Sequence, residues 1–505
     1  MRFATALIAG SLLLAYPLAA QHEHHEHSAA DLGNLGAVHF TTSCNSAAQG
    51  DISRGVALIH SFWYSEAEKS FRAAASADPT CGIAWWGVAM ANYHPVWLPP
   101  TPDELKNGAE AAAKAKEAGA KTDRERGYID AINTFYADSD KTPHATRALG
   151  YESAMEKLAA AYPKDDEASI FYALSLLGTA SPNDKTYAKQ KKAAEVLNRV
   201  LPNEPEHPGV AHYIIHSFDY PELASLALPA ARSYAKIAPG SPHALHMPSH
   251  IFTRLGLWDE SIASNLASRD KARAYVRARD PEMSSFDELH AVDYLVYAYL
   301  QEGRDADAKK LVDAVAAVKK IDNPNFAAAY AISAVPARYA LERRQWKEAA
   351  ALTVPKNISF EKFGYSEANV HFARAIGAAR SGDLATARDA LARLDALHQS
   401  LTGYWADQVE IQRLGASAWL AHAEKKDDDA LRLAREASDL EARTDKHPVT
   451  PGAIVPAREL LAEMLLELGR PADALAEVDR ALTTAPNRHN ALWLRTQAQT
   501  RVASR

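Results

Sequence analysis

The sequence predicts an all-α protein built as an array of antiparallel helix pairs, and three observations carry that expectation. Small and apolar residues recur with a spacing of 34 residues, prolines close the units, and the gaps between them read as turns rather than strands. In residues 48–81, Gly55 and Leu58 mark a first helix, Ala67, Phe71 and Ala74 a second, and Pro79 the end of the unit. Trp85 and Ala89 begin the next unit in the same way. Residues 455–488 give the fullest repeat, with Ala462, Leu465, Gly469, Ala474, Val478, Ala481 and Pro486 at the corresponding places. Weaker copies surround Ala308, Ala349, Ala387 and Ala430.

Interruptions of the period mark insertions. After Trp97 the stretch LPPTPDELKNG breaks one helix and starts another, with Thr101 as N-cap, Pro102 in the first turn and Glu104 completing a capping box. ASPNDKTY and RDPEMSSFDE are two further insertions, and NPNFAAAY at 323–330 predicts a seam between two halves. The expected organisation is a signal peptide at 1–20, a flexible His-rich segment at 21–45, a decorated array at 46–322 and a more regular one at 323–505.

These small-residue and proline positions resemble the tetratricopeptide (TPR) family from about residue 46 onward. The resemblance implies a right-handed α-solenoid of TPR-like helix-turn-helix repeats whose first helices line a concave groove. SFWYSEAEKSF, ADPTCGIAWWGVAM, HPGVAHYIIHSFD and PHALHMPSHIFTRLG further resemble a group of exported bacterial TPR proteins.

Composition narrows the setting. Arg2, the apolar run from Phe3 to Ala15 and the small residues Leu18-Ala19-Ala20 read as a cleavable export signal, too short to span a bilayer. This predicts a periplasmic or secreted protein with no membrane span after cleavage. Loss of Arg2 takes the formal charge from −7 to −8, and no basic block of the density nucleic acid requires is present. The two cysteines, Cys44 and Cys81, flank the first helix pair and are candidates for a disulfide in an oxidising compartment, beside the alternatives of buried thiols or a soft metal site. His22, His24, His25 and His27 form a tract after the predicted cleavage site that chelates divalent ions or serves as a plain polar tail.

Two segments carry the chemistry. HPGVAHYIIHSFD and SPHALHMPSHIF each contain His-x-x-x-His, which sets two imidazoles about 6 Å apart on one helix face. His212 and His246 are 34 residues apart, as are His216 and His250, so the repeat period superposes the pairs on neighbouring helices. The four histidines are expected to form a square in the groove and hold Cu or Zn. His207, His243 and His290 fall near it, and Asp219 lies one turn beyond His216 as a ligand or an acceptor that fixes an imidazole tautomer. His60 and His94, again 34 apart, are expected to face the same groove. Repeat duplication alone would also copy such a pair. The pattern supports three uses: a metal- or small-ligand-binding solenoid, a metal-dependent enzyme on the same histidines, or a scaffold binding a peptide or protein in the groove. Nucleophile-elbow, P-loop and dinucleotide-binding motifs are absent, and the tail does not have the H-E-x-x-H spacing.

Overall fold

The computed structural model describes residues 32–182 and 184–504. The export signal and the tract His22–His27 therefore lie outside the described residues.

Helices follow one another in pairs across short turns: α1 (Ser46–His60) with α2 (Tyr64–Ala77), α3 (Gly82–Tyr93) with α4 (Pro102–Ala118), α5 (Asp123–Tyr136) with α6 (His144–Ala161), and α7 (Asp166–Gly178) with α8 (Ala188–Val200). Next come α9 (Pro208–Phe218) with α10 (Leu228–Ile237), the broken helix α11 (Pro242–His246) and α12 (Pro248–Arg254) with α13 (Trp258–Arg277), and α14 (Phe286–Gln301) with α15 (Asp305–Ala316). The remaining pairs are α16 (Phe326–Glu342) with α17 (Trp346–Ala350), α18 (Gly364–Ser381) with α19 (Leu384–Ser400), α20 (Gly403–Ala423) with α21 (Asp427–Arg443), and α22 (Ala457–Glu467) with α23 (Pro471–Thr484), followed by α24 (His489–Ala503). Two three-residue strands, β1 (Met283–Ser285) and β2 (Lys320–Asp322), pair in parallel across the insertion near residue 280. This is an all-α, TPR-like helix-pair solenoid.

The small residues of the repeat have a steric cause. A Cβ at Gly55 would stand 2.7 Å from the Phe71 ring and one at Gly87 2.1 Å from it, so both glycines admit the phenyl between α1, α2 and α3. Gly469 takes φ 70 in the turn between α22 and α23, where a left-handed residue ends the helix. Pro79, Pro239 and Pro486 each follow a second helix. Thr101 Oγ1 accepts from the Glu104 amide and the Glu104 carboxylate accepts from the Thr101 amide, the capping box expected at α4.

The expectation for the N-terminal segment changes. Residues 32–45 are not a loose leader: Phe40 is buried and stacks on Trp86 at 5.4 Å, and the Gly240 amide donates to the Asn34 carbonyl at 2.7 Å. Cys44 and Cys81 are joined as a disulfide with Cα atoms 5.2 Å apart, tying this segment to the start of α3. Around 323–330 one apolar core runs from Trp258 through Val296 and Ile332 to Phe360, and another begins at Phe326 and extends to Ala498. Among the described residues, no helix is long and apolar enough to cross a membrane.

Curvature brings distant units together. α1 packs on α9 as well as on its neighbours, and α14 touches α24. The side of α9, α12 and α14 away from their partner helices is thereby enclosed.

Candidate metal centre

Three consecutive first helices supply the site. In α9, Pro208 occupies the first turn and His207 caps it, its Nδ1 accepting from the Gly209 amide at 3.1 Å. One turn in, His212 and His216 point the same way. In the next unit Pro248 has no amide to donate, and the helix breaks at Met247 between α11 and α12. His246 and His250 stay on one face across that break, with His243 one turn before them. α14 contributes His290. All six rings are buried.

The square predicted by the repeat takes a different form: two pairs, each joined by a third histidine. His246 Nε2 lies 3.0 Å from His250 Nε2, and His216 Nε2 lies 3.1 Å from His212 Nε2. Across the pairs, the rings of His216 and His250 are 6.3 Å apart. The donor atoms of His212, His216 and His243 lie within 4.8 Å of one another, and so do those of His246, His250 and His290.

Hydrogen bonds fix the tautomers. His246 Nδ1–H donates to Asn265 Oδ1 at 2.6 Å, and Asn265 is oriented by donating its own amide to the Ser261 carbonyl at 2.8 Å. His250 Nδ1–H donates to Asp219 Oδ2 at 2.9 Å. Both Nε2 atoms therefore carry lone pairs, and these face each other with no proton between them. The His290 ring lies 4.3 Å from that of His246, tilted by 52°, and its Nδ1 is buried without a hydrogen-bond partner. In the neighbouring group, His212 Nδ1–H donates to the His60 carbonyl at 2.6 Å, which turns its Nε2 lone pair toward His216.

Electrostatics keep these rings neutral. Burial is the largest cause of depressed pKa values at His212, His243, His246 and His290, reinforced by the neighbouring imidazoles, and it takes His216 down to about 3. His250 is lowered by burial despite the help of Asp219. At Asp219 burial works upward, but Lys446 and Arg254 overcome it and hold the carboxyl well below its usual range. Both Asp219 oxygens are engaged, Oδ2 by His250 and Oδ1 by Arg254 Nε at 2.8 Å, so the carboxylate fixes the orientation of the His250 ring.

His60 and His207 belong to a separate, closed group. Glu167 Oε2 accepts from His60 Nε2 at 3.0 Å and Oε1 from His207 Nε2 at 2.9 Å, while His60 Nδ1 accepts from the Tyr213 hydroxyl at 2.8 Å. No ring nitrogen is left over. His94 stands apart from all three groups, at the end of α3 with Nε2 3.5 Å from Glu104 Oε1.

Two segments cover the histidines, which is why they lie under a roof instead of lining an open groove. Trp97 lies 5.9 Å from the His243 ring and 5.3 Å from Phe326. From the far end of the chain, residues 445–453 are pinned by the Tyr294 hydroxyl donating to the Pro448 carbonyl at 3.0 Å and by Arg338 donating to the Ala453 carbonyl at 2.6 Å. A cavity of about 20 Å³ remains beneath, lined by His216, His243, His250, His290, Trp97 and His447 among others. Trp97 and His447 also wall a larger cavity of about 410 Å³ that includes Tyr220, Trp405 and Lys446. Lys446 has its pKa brought down to about 8 and His447 to about 4, in both cases chiefly by burial. Sequence reasoning missed this roof, along with Glu167, Tyr213 and Asn265.

No family model and no curated protein matches this chain. Among solved structures, a human IFIT1 dimer with PPP-AAAA is 13% identical over 91% of each chain with a TM-score of 0.39. The yeast Tom70 is 14% identical over 90% of this chain and 96% of that one with a TM-score of 0.37. The P58(IPK) TPR domain is 10% identical over 90% and 98%, with a TM-score of 0.23. The fold assignment rests on the chain's own helix pairs.

Proposed function

We propose that this chain is an exported helical-repeat protein that binds a copper or zinc ion through the buried histidines of α9, α11, α12 and α14. One observation carries the reading: His246 and His250 each commit Nδ1 as a donor and face each other through Nε2 at 3.0 Å. Two buried acceptors at that distance repel, and each unmatched group costs about 1–3 kcal/mol. A cation between them removes both penalties. Neutral imidazoles oriented through Nδ1 by an amide and a carboxylate are ligands suited to Cu and Zn. Export is supported by residues 1–20 of the sequence alone.

A second reading, a metal-dependent enzyme on the same site, is favoured by the third ligand. Three histidines leave a fourth position, and the small cavity borders it. Asp219 is committed to His250 and Arg254, and His290 to the triad itself, so neither is free to act as a general base. Lys446 and His447 on the roof face the cavities, and Asp445, His94 and His144 also line the larger one. A helical-repeat scaffold also suits a peptide or protein partner.

Metal analysis tests the principal reading. The full chain carrying His22→Ala, His24→Ala, His25→Ala and His27→Ala is loaded with copper or zinc and desalted. Retained stoichiometric metal that is lost on His246→Ala with His250→Ala is the expected result. Metal-free protein after loading overturns the reading.

A further inference from the structure

We propose that the histidines form a two-ion copper centre, with a second ion held by His212, His216 and His243 beside the one held by His246, His250 and His290. This rests on the metal-binding reading above and extends it to stoichiometry, metal and ligand class.

The second triad has its own marks of a site. His212 is locked by the His60 carbonyl with its Nε2 lone pair turned inward, toward His216 Nε2 at 3.1 Å. His243, only 7% exposed, has an Nε2 with no hydrogen-bond partner. The donor atoms of the three rings gather within 4.8 Å of one another, as tightly as in the first triad. The His60–Glu167–His207 group meets the same distance test but has every ring nitrogen bonded, so it offers an ion nothing.

The two triads face each other. His243 and His246 rings are 6.1 Å apart, and His216 and His250 rings 6.3 Å. No carboxylate lies among the six donors. The cavity of about 20 Å³ touches His216 and His243 on one side and His250 and His290 on the other. That volume admits about one water-sized molecule, so the shared ligand has one or two heavy atoms.

Charge selects the metal. Six neutral donors supply no negative charge, and Asp219, the carboxylate bonded to His250, is already matched by Arg254 and by Lys446 at 3.5 Å. Two monovalent copper ions place half the charge of two zinc ions in this buried site, where uncompensated charge is costly. Imidazole is a good ligand for copper, and the geometry therefore favours a Cu(I) pair.

The test uses the full chain with the four tail histidines replaced by alanine, loaded anaerobically with Cu(I) and passed over a competing chelator. Two copper ions per chain are expected, falling to one in His243→Ala and to one in His216→Gln. The copper that each variant keeps also shows that its fold persists. After oxidation with ferricyanide, the parent's paramagnetic signal is expected to integrate to far less than its copper content because the ions are coupled, and the single-site variants are expected to show full intensity. One copper in the parent, two retained in both variants, or a full-intensity signal from the parent overturns the pair while leaving single-ion binding intact. No copper in the parent overturns the earlier reading as well.

Discussion

Two buried histidine groups on neighbouring units solve the same problem in opposite ways. His60 and His207 share the Glu167 carboxylate, and their remaining nitrogens accept from Tyr213 and Gly209. His246 and His250 also commit one nitrogen each, to Asn265 and Asp219, yet aim the other two at one another. The first group needs nothing added. The second leaves two lone pairs facing each other. Burial and proximity alone, which both groups have, do not distinguish a structural histidine from a ligand; the fate of the last lone pair does.

Acid separates the groups most strongly. The six triad histidines have folded pKa values below the ordinary 6.5. The unfolded chain therefore binds more protons, and the metal-free protein is fully stable above pH 6.5 and loses stability as pH falls. The slope reaches about 1.4 kcal/mol per pH unit for each histidine that stays neutral. In the closed group burial lowers His60 as well, so one histidine there adds to the loss, while Glu167, depressed because His207 and His60 outweigh its burial, contributes above its unfolded pKa and fails only at lower pH. Denaturant titrations between pH 7 and 5 are expected to show a steep loss in the metal-free chain, which bound metal displaces to lower pH. A flat profile would break the contrast.

Glu167→Ala attacks the closed group. It strands two buried histidines and is expected to cost about 3–5 kcal/mol in unfolding free energy, while the folded fraction keeps its metal stoichiometry. His246→Ala attacks the open one. The metal-free variant is expected to stay within about 1 kcal/mol of the parent, because losing a facing lone pair offsets lost packing. It loses the stabilisation, about 4 kcal/mol at a thousandfold excess over Kd, that metal gives the parent. Asp219→Asn has the smallest expected effect on the metal: the hydrogen bond to His250 survives without its charge, and affinity is expected to fall about 10- to 100-fold by isothermal titration. Loss of the counter-charge to Arg254 and Lys446 also lowers stability.

Much of this was legible from residue order. The 34-residue period predicted the helix pairs, and its coincidence with two His-x-x-x-His pairs singled out His212, His216, His246 and His250. The period could not show that His243 and His290 complete separate triads. His290 lies 40 residues after His250 because the β1 insertion breaks the count. Glu167 reaches His60 over 107 residues and Lys446 reaches Asp219 over 227, contacts made by superhelical curvature that no local pattern encodes. The roof over the site has the same origin.

Anomalous diffraction from crystals of the copper-loaded chain tests the central claim most directly. Metal peaks are expected bounded by His246, His250 and His290 and by His212, His216 and His243, and none between His60, Glu167 and His207. An empty pair of triads, or a peak at Glu167 in their place, would contradict it.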